Sequence, residues 1–200
     1  MDSLTHHVWR LARFAARASG LLVVLMAFLI SADILVRQLF NATLLSGGVG
    51  ELSGYALAII SAWGASLTLL KRAHIRIDTL QMLLPRPVSV ALDLFAMATF
   101  TVASGVLAWM GWMTFARSYA LESRSMTPLA APMAVPQGVW LAGLLFLTLT
   151  GLVMLVQACL LLRRGERRAA LELIGTRTAT EDLEEQKSVV EAAGVGGVRA

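Results

Sequence analysis

The 200 residues are 57% apolar and only 15% charged, with a mean hydropathy of +0.70, against about half and about a quarter in a soluble domain. This composition excludes an ordinary soluble domain and predicts an all-α integral membrane protein. The net charge of +4 does not point to nucleic acid, because the basic residues stand between apolar runs and form no single stripe. The lone Cys159 excludes an internal disulfide and a thiol-rich metal site.

Residues 1–19 form the first predicted element, a basic amphipathic segment. Arg10, Arg13 and Arg17 alternate with Trp9, Leu11 and Phe14, the pattern of a short helix at an anionic membrane surface. A secretory signal peptide also starts basic, but the apolar run that follows is too long and ends at Arg37 without an A-x-A site. That run is predicted as span one, residues 20–40; about 20 apolar residues at 1.5 Å each cross a hydrocarbon core of about 30 Å. The uncharged, glycine-rich segment from Asn41 lets the chain reverse.

Span two is predicted over residues 48–70. Gly54, Ala58, Ala62 and Ser66 recur at every fourth position, a small-residue stripe on which a neighbouring helix can pack closely. The polar segment Lys71 to Pro87 ends in Pro85-Arg86-Pro87, a turn that separates helices. Span three is expected over residues 88–116, with Trp109, Trp112 and Tyr119 as an aromatic belt at its far end. Pro128, Pro132 and Pro136 make the next segment, Arg117 to Gln137, an ordered but irregular loop. Span four covers residues 136–162, with Gly143 and Gly151 on roughly one side. Arg163, Arg164, Arg167 and Arg168 stop it, and the remaining tail, residues 163–200, is expected to be cytoplasmic and mobile.

Orientation follows from the basic residues beside the spans, which are enriched on the cytoplasmic side. Placing both termini and the second loop in the cytoplasm puts fourteen Lys and Arg on that side and three on the other. Four transmembrane helices with both termini cytoplasmic satisfy the count.

Charges near the spans are the candidate functional residues. Asp33 and Arg37 are i, i+4 neighbours near the end of span one, and Glu51 enters span two at a similar depth. The three can compensate one another as a clamp between the spans, Arg37 and Glu51 can instead reach the head groups or water independently, and a third reading places the three in an ion or substrate path. Asp93, near the start of span three, is expected to pair with the cluster of Lys71, Arg72 and Arg76. His74 has no His or Cys near it in sequence and is read as an interfacial hydrogen-bonding group, not a metal or haem ligand. No nucleophile, base and orienting residue share a usable spacing, so no catalytic, cofactor-binding or metal residues are assigned.

The order Arg37, Phe40-Asn41, Glu51, Trp63-Gly64, His74-Ile75-Arg76-Ile77-Asp78, Leu84-Pro85 resembles the small membrane (Q, DctQ-type) subunit of TRAP transporters, the tripartite ATP-independent periplasmic systems. The resemblance runs from about Gly20 to Leu162, and His74 to Asp78 is its most specific piece. It implies a secondary transporter of the bacterial inner membrane. In such a system a periplasmic binding protein (P) captures an organic acid, a large membrane subunit (M) carries the substrate and sodium sites, and the small subunit braces M within membrane lipid. With Asp33 from the charge pairing above, it gives as structural or subunit-contact candidates Arg37, Asn41, Glu51, Trp63, Gly64, His74, Arg76 and Asp78, and it implies no cofactor in this chain. Two other readings compete: a haem- or quinone-binding anchor of a respiratory complex, and a self-sufficient four-helix exporter.

Overall fold

The computed structural model describes residues 3–45, 48–73 and 86–175. Four long helices form an antiparallel bundle: α1 (Ser3–Phe40), α2 (Val49–Leu70), α3 (Arg86–Ala120) and α4 (Ala134–Arg163), followed by a short α5 (Arg167–Ile174). All four long helices have the length and apolar content to cross a membrane, and no strand is formed among the described residues. Helices are the open-ended element that a bilayer tolerates, because their backbone groups bond within the segment.

The elements run longer than the spans read from hydropathy. The basic N-terminal segment and the first span are one continuous helix of 38 residues, about 57 Å long at 1.5 Å per residue. Arg10, Arg13 and Arg17 do not break it, since arginine is a good helix former. α3 continues to Ala120 and α4 begins at Ala134, with Pro136 in its first turn, where a missing N–H costs no hydrogen bond. The irregular loop is therefore confined to residues 121–133. The segment after Arg164 contains α5, whose Ala170 and Ile174 are buried against the bundle.

Three helices end in the same way. After α2 the Arg72 N–H meets the Leu69 carbonyl at 3.0 Å and the Ala73 N–H meets the Thr68 carbonyl at 2.9 Å. Glu122 and Ser123 repeat the pattern after α3, and Gly165 and Glu166 after α4. Each motif turns on a residue of positive φ: Arg72 at 55°, Glu122 at 47° and Gly165 at 79°. These paired bonds satisfy carbonyls that the helix leaves open. Asn41, at φ 50°, closes α1 through its N–H to the Arg37 carbonyl at 3.1 Å; asparagine tolerates this conformation better than most residues.

α4 is the centre of the bundle. It packs on both α2 and α3, while α1 packs chiefly on α2. In the most apolar 18-residue window of each helix, 44% of α4 is buried but only 11% of α1. The core lies toward the end where α1 begins: Val8, Ala12, Leu69, Met97, Leu147 and Met154 meet there. At the same end the Gln157 amide is hydrogen-bonded to the Thr5 hydroxyl, tying the start of α1 to α4.

Close approach depends on glycine at two positions, which serve different neighbours. A Cβ on Gly143 would lie 2.9 Å from the Ala62 Cβ and 2.8 Å from the Trp63 ring, in α2. One on Gly151 would lie 2.8 Å from Thr101 Oγ1, in α3. The two glycines thus do not share a side: eight residues at 100° each leave them about 80° apart. The small-residue stripe of α2 is likewise split, with Ala62 and Ser66 buried and Gly54 facing open space.

A side chain at 143 should therefore separate α2 from α4, whereas one at 54 should not. We expect Gly143→Leu to cost about 1–3 kcal/mol from overpacking, and Gly54→Ala to be neutral or stabilising through reduced backbone entropy. Thermal unfolding of the two variants in the same detergent, followed by circular dichroism, measures the difference.

Candidate functional site

Two polar clusters hold the end of the bundle where α1 finishes and α2 begins. In the first, Asp33 is 3% exposed and accepts from the Arg37 guanidinium at 2.7 Å. Its other carboxylate oxygen accepts the Leu44 N–H at 2.9 Å. One side chain thus pairs a charge on its own helix and fixes the backbone of the reversing loop. Arg37 is 60% exposed on its side chain, so the ion pair itself contributes little. The buried acceptor for a backbone N–H contributes more.

The second cluster forms around Glu51, in the first turn of α2, where a carboxylate complements the helix dipole. Tyr55, one turn along the same helix, donates its hydroxyl to Glu51. Thr127, in the loop between α3 and α4, donates to the other carboxylate oxygen. Because the Thr127 proton is committed to the carboxylate, Ser125 must donate to Thr127 across their 3.0 Å contact. The Ser125 oxygen accepts in turn from the Ala131 N–H at 3.2 Å. A directed chain of donors therefore runs from the loop backbone into one carboxylate.

The loop is built to present this chain. An antiparallel bridge joins Arg124 to Pro132; the Ser125 N–H reaches the Ala131 carbonyl at 2.9 Å and the Met133 N–H reaches that of Ser123 at 3.0 Å. Ala130 adopts φ 43° at the turn, and Leu129 lies against Gly48, where a Cβ would come within 3.3 Å of it. The Met133 sulfur sits 3.1 Å from the Tyr55 oxygen. The short hairpin caps the start of α2.

Asp33, Arg37 and Glu51 are therefore not one compensated cluster, as their similar depth suggests. Asp33 and Arg37 pair as their i, i+4 spacing predicts, but Glu51 turns instead to the loop between α3 and α4. Hydroxyls of Tyr55, Thr127 and Ser125 complete the second cluster. Tyr55 could have been read from its spacing four residues after Glu51, whereas nothing in sequence ties Thr127 to a residue 76 positions away.

Trp63 joins α2 to α4. Its indole N–H donates to the Val139 carbonyl at 3.0 Å, and its ring stacks on Phe146 with centroids 6.0 Å apart. Gly64 meets nothing within 4 Å of where its Cβ would be, and Asn41 serves as the α1 cap. Asp93 is 1% exposed and partnered. His74, Arg76 and Asp78, the most specific part of the sequence pattern, lie outside the described residues. Among the described residues no group of three or more His, Cys, Asp or Glu is arranged to hold a metal.

The first cluster makes a ranked prediction. Asp33→Ala should cost about 1–3 kcal/mol by stranding the Leu44 N–H, Asp33→Asn distinctly less because an acceptor remains, and Arg37→Ala at most about 1 kcal/mol. Unfolding of the three variants in detergent tests the order. For the second cluster, Glu51→Ala and Thr127→Val should each loosen the 121–133 loop, and the double variant should add nothing to the larger single effect. Limited proteolysis at this loop reads the coupling.

The curated proteins and the solved structures give no match to the chain. A family model does match, "Tripartite ATP-independent periplasmic transporters, DctQ component", over residues 26–161. That region holds Asp33, Glu51, Trp63 and the hairpin, and leaves out α1 up to Leu25 and the chain from Leu162 onward. With some two thirds of its length matched, this multi-pass membrane chain belongs to the DctQ component family of the tripartite ATP-independent periplasmic transporters.

Proposed function

We propose that this chain is the small, non-catalytic membrane subunit of a TRAP transporter in the bacterial inner membrane, bracing the large M subunit during sodium-coupled uptake of an organic acid. The family match over residues 26–161 carries the reading, since a component family implies association with the other components. The bundle interior supports the bracing role. Thr101, Ser104 and Thr150 are buried, and each hydroxyl is bonded to a carbonyl of its own helix, at 2.8, 2.9 and 2.8 Å. Hydroxyls turned back on their own backbone have no proton left to offer an organic anion. An ion or substrate path would instead line itself with polar groups at successive depths.

In this reading the sodium and substrate sites belong to M, the periplasmic protein P delivers the organic acid, and the small subunit carries no cofactor. The exposed apolar length of α1, including Leu21, Leu25 and Phe28, offers M and lipid a broad surface. Both termini face the cytoplasm, on the count of basic residues beside the spans.

The reading is tested by purifying the tagged chain in mild detergent from its native host. A large multi-span partner should elute with it, and liposomes holding this chain alone should show no sodium-dependent uptake. Uptake by the chain alone would overturn the bracing role. A C-terminal alkaline phosphatase fusion should be inactive; full activity would reverse the topology.

A further inference from the structure

The charged residues that close the four long helices do not stand at common levels. Close contacts fix the register of each helix against α4: Thr5 with Gln157 for α1, Ala62 with Gly143 for α2, and Thr101 with Gly151 for α3. Leu22 and Val139, which line one cavity, agree with the first of these. Levels elsewhere follow by counting residues from the contacts at 1.5 Å each. At the end where α1 begins, Arg17 falls about 27 Å short of Arg163, Lys71 falls about 16 Å short of it, and the start of α3 at Arg86 lies about 4 Å beyond it. At the other end Arg37 projects about 15 Å beyond the level of Arg117, and Glu51 about 4 Å beyond it.

The shift has one sense at both ends. It also grows in the order in which the helices pack, α3 on α4, α4 on α2 and α2 on α1. Averaged over the two ends, α1 is displaced along the bundle from α3 by about 23 Å. Three steps of about 9 Å between neighbouring axes span about 27 Å, so a surface drawn through the charges is inclined by about 40° to the cross-section of the bundle.

Helix length leads independently to a similar angle. α4 carries no charge from Ala134 to Leu162, about 43 Å, which fits a hydrocarbon core of about 30 Å when inclined by about 45°. An upright bundle has no such fit. It would set Arg17 level with Leu145, within about 5 Å of the middle of that uncharged stretch. Arg10, Arg13 and Arg17 are all exposed, and among the described residues none has an ion-pair partner. Charge exposed at the bilayer centre is the costliest placement a membrane helix offers.

We propose that the bundle lies in the bilayer inclined by about 40°, at the upper end of the range of membrane helices, so that Arg10, Arg13 and Arg17 meet phosphate-bearing head groups at the same surface as Arg163 and Arg164. The guanidinium groups suit such partners. α2, at 22 residues, then spans about 25 Å and reaches the two surfaces through Glu51 and Lys71. The inclination follows from this chain alone and does not rest on its role in a transporter.

The test reconstitutes the full-length protein alone in oriented bilayers of phosphatidylethanolamine and phosphatidylglycerol. Polarised infrared spectroscopy of the amide I band then measures the mean inclination of the helices. About 40° is expected, and a mean of about 20° or less would overturn the proposal. Depth at two positions checks the sense of the inclination. Phe14 and Leu149 are both exposed and stand within one residue of a common level along the bundle. Spin labels at Phe14→Cys and Leu149→Cys, each in a Cys159→Ser background, should differ in depth by about 10 Å, with position 149 the deeper. Equal depths, or the deeper label at position 14, would overturn it as well.

Discussion

Hydrocarbon offers a polar group no partner, so every donor and acceptor at membrane depth must find one in the protein. In this chain that constraint acts mainly at the helix ends, where the backbone leaves groups open. Three C-termini meet it with one motif of paired N–H bonds, and α1 meets it with Asn41. Asp33 and Glu51 extend the same solution to the loops, since each carboxylate collects donors that the loop would otherwise leave bare. The buried hydroxyls of α3 and α4 bond to their own backbones. Ser66 and Gln137 are exceptions, the hydroxyl oxygen of one and the amide oxygen of the other being buried with no hydrogen-bond partner among the described residues.

What the sequence made legible follows from how far apart the interacting residues lie. Four long apolar runs imply four helices, because length and hydropathy are local properties. The Asp33 to Arg37 pair was equally readable, its partners being one helical turn apart. The division of Asp33 and Glu51 into separate clusters was not, because the rotation of α2 that sends Glu51 to Thr127 is set by packing of Ala62 and Trp63 against α4. Nor could spacing alone assign Gly143 and Gly151 to different neighbours, since an 80° difference is decided by where α2 and α3 sit around α4. Gly54 shows the same drift: eight residues and so about 80° from Ala62, it faces open space, and only part of that periodic stripe is contact surface.

The uneven burial of the helices also bears on assembly. α4 is the most buried of the four long helices, while α1 is attached mainly through α2 and, at its start, through Thr5 and Gln157. Apolar surface on α1 gains nothing by being covered with lipid or with another protein on hydrophobic grounds alone, since both are equally apolar. Shape and charge therefore have to select its neighbours. Gly64, Gly54 and Gly50, all with open space where a Cβ would stand, leave α2 flat on the side away from α4.

The Trp63 hydrogen bond depends on an atom that is missing. In an α-helix the Val139 carbonyl points toward residue 143, and a Cβ there would lie 2.9 Å from the indole nitrogen. Glycine at 143 thus opens a window in the side of α4 through which a backbone carbonyl becomes an acceptor for another helix. Positions 63 and 143 are thus coupled in space. A descendant that acquired a side chain at 143 could keep its helices this close only by also giving up the tryptophan, so neither change is easily tolerated first.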